Sequence, residues 1–129
     1  MPERKPVIPP GTTPNPALSA GIVVGDLLFV SGHVATDNGG NVVGVGDAEA
    51  QSREVMANIR NVVTAAGGKM EDVAKITCIL TDIANYPAYS KVRAETWPND
   101  PPASSTVVVA GLVRPELLVE VEAIVRLPG

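Results

Sequence analysis

The chain has 129 residues, 45% of them hydrophobic and 19% charged, with a formal net charge of −4. This length bounds a single domain with one core, and aromatics at 3% mean that the core is aliphatic. The acidic balance without any basic run argues against a nucleic-acid partner, and no apolar stretch is long enough for a bilayer or a signal peptide.

Residues 1–15 read as an extended, proline-rich arm, with Pro2, Pro6, Pro9, Pro10 and Pro14 in it and Pro16 just beyond. Proline at that density forbids a helix and allows only an edge strand, placed near Lys5–Ile8. Ile22–Val24 and Leu27–Val34 form two strands around a Gly25-Asp26 turn. A period of two along the second strand groups Leu28, Val30, Gly32 and Val34 on one face. Leu27, Phe29, Ser31 and His33 fall on the other. After a Gly/Asn/Asp turn, Val42-Val43 can add a short strand.

Asp47 is a helix N-cap, with Glu49 in the first turn. The helix predicted from there to Ala66 carries a stripe of Val55, Ile59, Val62 and Ala66, and Gly67-Gly68 stops it. A strand follows over Asp72–Thr81. Asn85 is placed as the cap of a second helix that has Pro87 in its first turn and runs to Trp97. The last two strands are Ser104–Ala110 and Leu118–Leu127. In the final one Val119, Val121, Ala123 and Val125 alternate with Glu120, Glu122, Ile124 and Arg126.

The order β-β-α-β-α-β-β describes an α+β domain with two helices on one face of a mixed sheet. The other face keeps Phe29, Val108, Leu118 and Ile124. A monomer would leave that patch in water, so a homo-oligomer is expected. Cys78 is the only cysteine, which excludes an internal disulfide and suits a reducing cytosol. A single histidine, His33, leaves no metal-ligand spacing, and GVGD at 44–47 lacks the lysine of a phosphate-binding loop. No metal site or phosphate-binding loop is therefore expected.

Several segments together resemble one family. They are GDLLFVSG at 25–32, DAEAQSREVMAN at 47–58, AAG at 65–67, DVAK at 72–75, TD at 81–82, PASSTV at 102–107 and VEVEAI at 119–124. In this order and spacing the chain resembles the Rid family of reactive intermediate deaminases, also called YjgF or L-PSP endoribonuclease-like proteins. The resemblance implies a chorismate-mutase-like fold, a homotrimer, and clefts between subunits. It also implies cofactor-free hydrolysis of enamines and imines to a ketoacid and ammonia. In that chemistry an arginine grips the substrate carboxylate and a glutamate handles water or the nitrogen proton.

The match places the glutamate at Glu120. The arginine of the usual Pro-Ala-Arg-Ser segment falls on Ser104, which marks an arginine-lacking subgroup. A tyrosine common near the second strand falls at Leu18, an asparagine of the second helix on Ser90, and a glutamine on His33. Candidate catalytic residues are thus Glu120 and His33, which the simple alternation puts on one face. Ser104, Ser31, Leu18, Ser90 and Arg93 are the candidate substrate contacts, with Arg93 or Arg114 able to stand in for the lost guanidinium. Two functions follow. One is a cofactor-free hydrolase of a small C–N metabolite, less anionic than a ketoacid imine, located in the cytoplasm. The other is a trimer that binds a small metabolite without changing it.

Overall fold

Alternation in the last strand sets the middle of the sheet. In the computed structural model, which describes residues 3–129, β6 (Val119–Arg126) buries Val119, Val121, Ala123 and Val125 against the helices. Its other face leaves Glu122, Ile124 and Arg126 exposed, with Glu120 half-buried. β6 lies between β3 (Leu27–Val34) and β4 (Val73–Leu80), antiparallel to both. β2 (Gly21–Val24) and β1 (Arg4–Val7) extend the sheet beyond β3. On the far side β5 (Ala103–Val108) joins β4 in parallel, giving the order β1-β2-β3-β6-β4-β5. Gly25 takes φ +61° in the β2–β3 turn, a conformation that a side chain disfavours.

The proline-rich arm supplies the edge strand, where a missing N–H is harmless: Pro6 stands opposite Ile22. Met1 and Pro2 lie outside the described residues. Val42 contributes only an isolated bridge to Thr36.

Two helices cover one face. α1 (Ala48–Ala65) starts where Asp47 Oδ1 accepts from the Ala50 N–H at 3.0 Å. Its stripe of Val55, Ile59, Val62 and Val63 is fully buried. α2 (Tyr86–Thr96) buries Tyr89 and Val92. Asn85 does not cap it through its side chain. Instead Asp82 caps a single 3-10 turn at Ile83–Asn85, accepting from Ala84 N–H at 2.9 Å, and that turn feeds directly into α2. Trp97 falls past the helix end, where its Nε1 donates to the Met70 carbonyl at 2.8 Å.

Two buried or half-buried amides tie loops to α1. Gln51, fully buried, donates to the Gly44 and Glu116 carbonyls at 3.1 and 2.9 Å and accepts from Leu118 N–H at 2.8 Å. Asn58 donates to the Val34 and Thr36 carbonyls, both at 3.0 Å.

The second sheet face has no helix over it. Phe29 and Ile124, paired across β3 and β6, are 43% and 38% exposed. Val107 belongs to this face, because it pairs with Ile79, which in turn pairs with Glu120. Val108 pairs with the buried Leu80 and so turns to the helix side, which corrects its placement from sequence. Leu118 lies just outside the strand. No helix of the described residues is long and apolar enough to cross a membrane.

Candidate active site

A β-bulge in β3 decides which side chains meet. Val30 stands opposite Ala123 and His33 opposite Val121, so Ser31 and Gly32 together face the single residue Glu122. The extra residue reverses the in–out alternation. Before it, Leu28 and Val30 point to the helices. After it, His33 and Ala35 do, and Val34 shares the face of its partner Glu120. His33 and Glu120 therefore lie on opposite faces of the sheet, not on one face as the unbroken period of two suggests. The His33 Nε2 sits 3.3 Å from the Ala20 carbonyl. Burial lowers the imidazole pKa below its ordinary value, partly offset by that carbonyl, so the ring is neutral near pH 7.

Glu120 projects from the middle strand onto the open face, between Val34 and Ile79. Its carboxylate occupies the space above Gly32, where a Cβ would collide with Oε2. Among the described residues it has no hydrogen bond and no ion pair. Lys75, on the same face, donates instead to Ser105 Oγ at 2.9 Å. Loss of solvation, and then repulsion from Glu122, raise the Glu120 pKa above the usual carboxylate value. A carboxyl of this kind holds a proton more readily than a free one and suits a proton shuttle.

Leu18, Ser31 and His33 line one cavity of about 650 Å³ between the arm and the end of β3. Gly32 and Val34, the two residues against which Glu120 lies, form part of its wall, as do Asn58 and Asn61 from α1. Ser31 Oγ donates to the Ser19 carbonyl at 2.5 Å, and Leu18 is 60% exposed. Glu120 itself does not line the cavity.

Ser90 and Arg93 form a second group, on α2. Arg93 Nη2 donates to Ser90 Oγ at 3.0 Å and to Tyr86 Oη at 3.1 Å. Ser104 lies exposed on the edge strand β5, opposite the buried Ile76 and hence on the helix side of the sheet. Arg114 is exposed and donates at 2.6 Å to the carbonyl of Gly40, a residue of the cavity wall. Cys78 is a core residue. Burial pushes its thiol up to about 12, which leaves it an inert thiol. Among the described residues no three His, Cys, Asp or Glu side chains are grouped to hold a metal ion.

The family model described as endoribonuclease L-PSP matches residues 12–127. The chain belongs to the endoribonuclease L-PSP family. Solved structures of the family superpose closely. The yeast protein YEO7 is 28% identical, with a TM-score of 0.90 over 98% of this chain and 100% of that one. YyfA of the conserved Rid protein family, from Yersinia pestis, is 27% identical, with a TM-score of 0.89 over 97% and 100%. RidA from an Antarctic Psychrobacter is 26% identical, with a TM-score of 0.88 over 96% and 100%.

For an L-PSP family chain the α+β sheet with two helices on one face is the expected fold, and it is the fold observed. One protomer does not gather the candidate residues. It holds three separate groups: Glu120 over Gly32, the Leu18–Ser31–His33 cavity, and the Ser90–Arg93 pair on α2. Sequence reading passed over Gly32, Gln51 and Asn58. The first was visible as the glycine of the Ser-Gly segment. The amides gave no signal, because a buried glutamine and a surface glutamine look alike in a helix.

Proposed function

We propose that this chain is a hydrolase of small, reactive C–N metabolites, enamines or imines, working without a cofactor where protomers of a homotrimer meet. The observation that carries this reading is Glu120: a half-buried carboxyl with a raised pKa, no cation partner, and a glycine cut away beneath it. Similarity to Rid proteins, among them YyfA and RidA, supports the same class of chemistry, while the family model's own description names an endoribonuclease. The uncovered face with Phe29, Ile124 and Val107 supports association, since an apolar patch of this kind is stabilised by burial. Nothing in the acidic composition favours an RNA substrate.

In the proposed reaction Glu120, as carboxylate, takes a proton from water while the water oxygen bonds to the imine carbon. The C=N π electrons move to nitrogen. Glu120, now the acid, gives that proton to nitrogen, and a carbinolamine forms. Glu120, again a carboxylate, then takes the hydroxyl proton of the carbinolamine and passes it to the amine nitrogen, the C–N bond breaks as the carbonyl forms, and ammonia leaves. One imine and one water become one carbonyl compound and one ammonia. His33, on the opposite face, takes no part in this proton transfer within a protomer and instead shapes the neighbouring cavity.

A second reading has its own observation. The resemblance places Leu18, Ser90 and Ser104 where a tyrosine, an asparagine and an arginine are expected, so a trimer that binds a metabolite unchanged is the competitor. The experiment is ammonia release from a panel of imines generated in place from different amino acids. Catalysed release above the spontaneous rate supports the hydrolase. A ligand that raises the melting temperature and is recovered intact, with no imine turned over, favours the binder.

A further inference from the structure

Seven asparagines are present, and only Asn38 is followed by glycine. An asparagine side chain can be attacked by the backbone nitrogen of the next residue, and the bulk of that residue decides how easily. Asn15 precedes Pro16, which has no N–H to react. Asn41 and Asn61 precede valines and Asn58 an isoleucine, whose branched carbons crowd the nitrogen. Asn58 also sits within α1, its amide bound to two carbonyls. Gly39 puts no side chain in the way.

The structure leaves Asn38 and Gly39 open to this reaction. Both are exposed, in the loop between β3 and α1, at the centre of a turn that Gly40 N–H closes by donating to the Asp37 carbonyl at 3.0 Å. The side-chain hydrogen bonds of the turn join Asp37 to Gly39 and Asn41; among the described residues none holds the Asn38 amide. The Gly39 N–H donates to Asp37 Oδ1 at 2.9 Å. Donation to a carboxylate leaves the nitrogen more electron-rich, and an exposed bond of this kind opens at little cost in free energy.

We infer that Asn38 is a site of spontaneous deamidation, by which the protein alters the wall of its own cavity. The Gly39 nitrogen bonds to Asn38 Cγ, the Cγ–Nδ2 bond breaks, and the Gly39 proton passes through solvent to the departing nitrogen. Ammonia leaves and a five-membered succinimide remains. Water then adds to one of the two ring carbonyls, and that carbon's bond to the Gly39 nitrogen breaks, the nitrogen regaining its proton. An aspartyl or an isoaspartyl residue results at position 38. One amide and one water become one carboxylic acid and one ammonia. Asn38 belongs to the cavity wall, so a negative charge enters that wall next to Asp37. Arg114, which donates to the Gly40 carbonyl in the same turn, is a cation that the new carboxylate can draw in. In the isoaspartyl product the main chain gains one carbon, inside a turn whose length is set by the pairing of Asp37 with Asn41 and of Thr36 with Val42. The site is independent of the proposed hydrolase.

The test is incubation of the whole folded protein at mildly alkaline pH over days. Anion exchange, peptide mapping by mass spectrometry and methyl labelling by an isoaspartyl methyltransferase then follow the product. Wild type gives a growing species that is one charge more negative, with the change at position 38 and isoaspartyl label in it. Asn38→Gln does not form it. Gly39→Ala slows it by about ten-fold or more. Gly39 does not take a positive φ, and an added methyl would meet the side-chain ends of Asn41 and Asp37 at 3.2 and 3.3 Å, so this variant folds. The ammonia released never exceeds one per chain, which separates it from imine turnover. Three results each overturn the inference and leave the hydrolase standing: a folded wild type that stays unmodified while the urea-unfolded chain converts, conversion at another asparagine instead, or equal rates in wild type and Gly39→Ala.

Discussion

The Glu120 carboxylate fills the space that a side chain on Gly32 would need. The two are on adjacent strands, and the bulge in β3 turns Gly32 to the open face that Glu120 shares. A methyl group at position 32 meets the far end of a flexible side chain, not backbone. Gly32→Ala should therefore fold normally and push the carboxylate aside. A displacement of about 1 Å at a reacting group can cost about a hundred-fold in rate. The expected result is a large fall in ammonia release with an unchanged circular dichroism spectrum and melting temperature.

Titration of His33 and of Glu120 should leave opposite marks on stability. The folded-state pKa of His33 is below its unfolded value of 6.5, because burial disfavours the charged ring. The unfolded chain thus binds more protons in that window. Stability is full above 6.5 and declines as pH falls toward the folded pKa. Glu120 has a folded pKa above its unfolded value of 4.5, so its contribution worsens as pH rises from 4.5 through the folded pKa. His33→Gln should flatten the acid-side decline in melting temperature. Glu120→Gln should melt higher than wild type near pH 7, and the gap should close below pH 4.5. Melting curves from pH 4 to 8 check both.

Gln51 is a stability residue hidden in a functional-looking helix. Its amide satisfies two carbonyls and one N–H from two separate loops. Truncation leaves buried polar groups unpaired, at about 1–3 kcal/mol each when water cannot reach them. Gln51→Ala should lose about 3 kcal/mol in urea unfolding, with no change in the slope that reports exposed area.

Association should depend on the open sheet face. Phe29 and Ile124 are direct cross-strand neighbours there. Introducing a charge at either, as Phe29→Lys or Ile124→Lys, places an ammonium inside the proposed protomer contact, where desolvation opposes it. Sedimentation should then show the mass of one chain for the variants and three for the wild type.

Much of the fold was legible because its signals are local. The arm, the Asp47 cap, the α1 stripe and the alternation of β6 each follow from a few neighbouring residues. The site was less legible because it depends on pairing. A bulge adds one residue with no mark in composition, and it moved His33 from the face of Glu120 to the face of the helices. The register of β5 likewise exchanged Val107 for Val108 on the open side. Asn85 read as a cap because its residue type suits one, while Asp82, three residues earlier, competes for that role. Arg93 illustrates the same gap. Its charge is plain in the sequence, but the hydroxyls and rings that hold it without an acid become visible only when α2 is wound.

Glu120 and Glu122 share a strand, a face and a charge, and differ in solvation and in the glycine beneath one of them. Steady-state ammonia release by Glu120→Gln and Glu122→Gln, each in the assembled protein, separates them. The predicted result is a fall of about a hundred-fold or more in kcat for Glu120→Gln, with Glu122→Gln near wild type. Equal kcat in wild type and Glu120→Gln would contradict the assignment of the chemistry to this carboxylate.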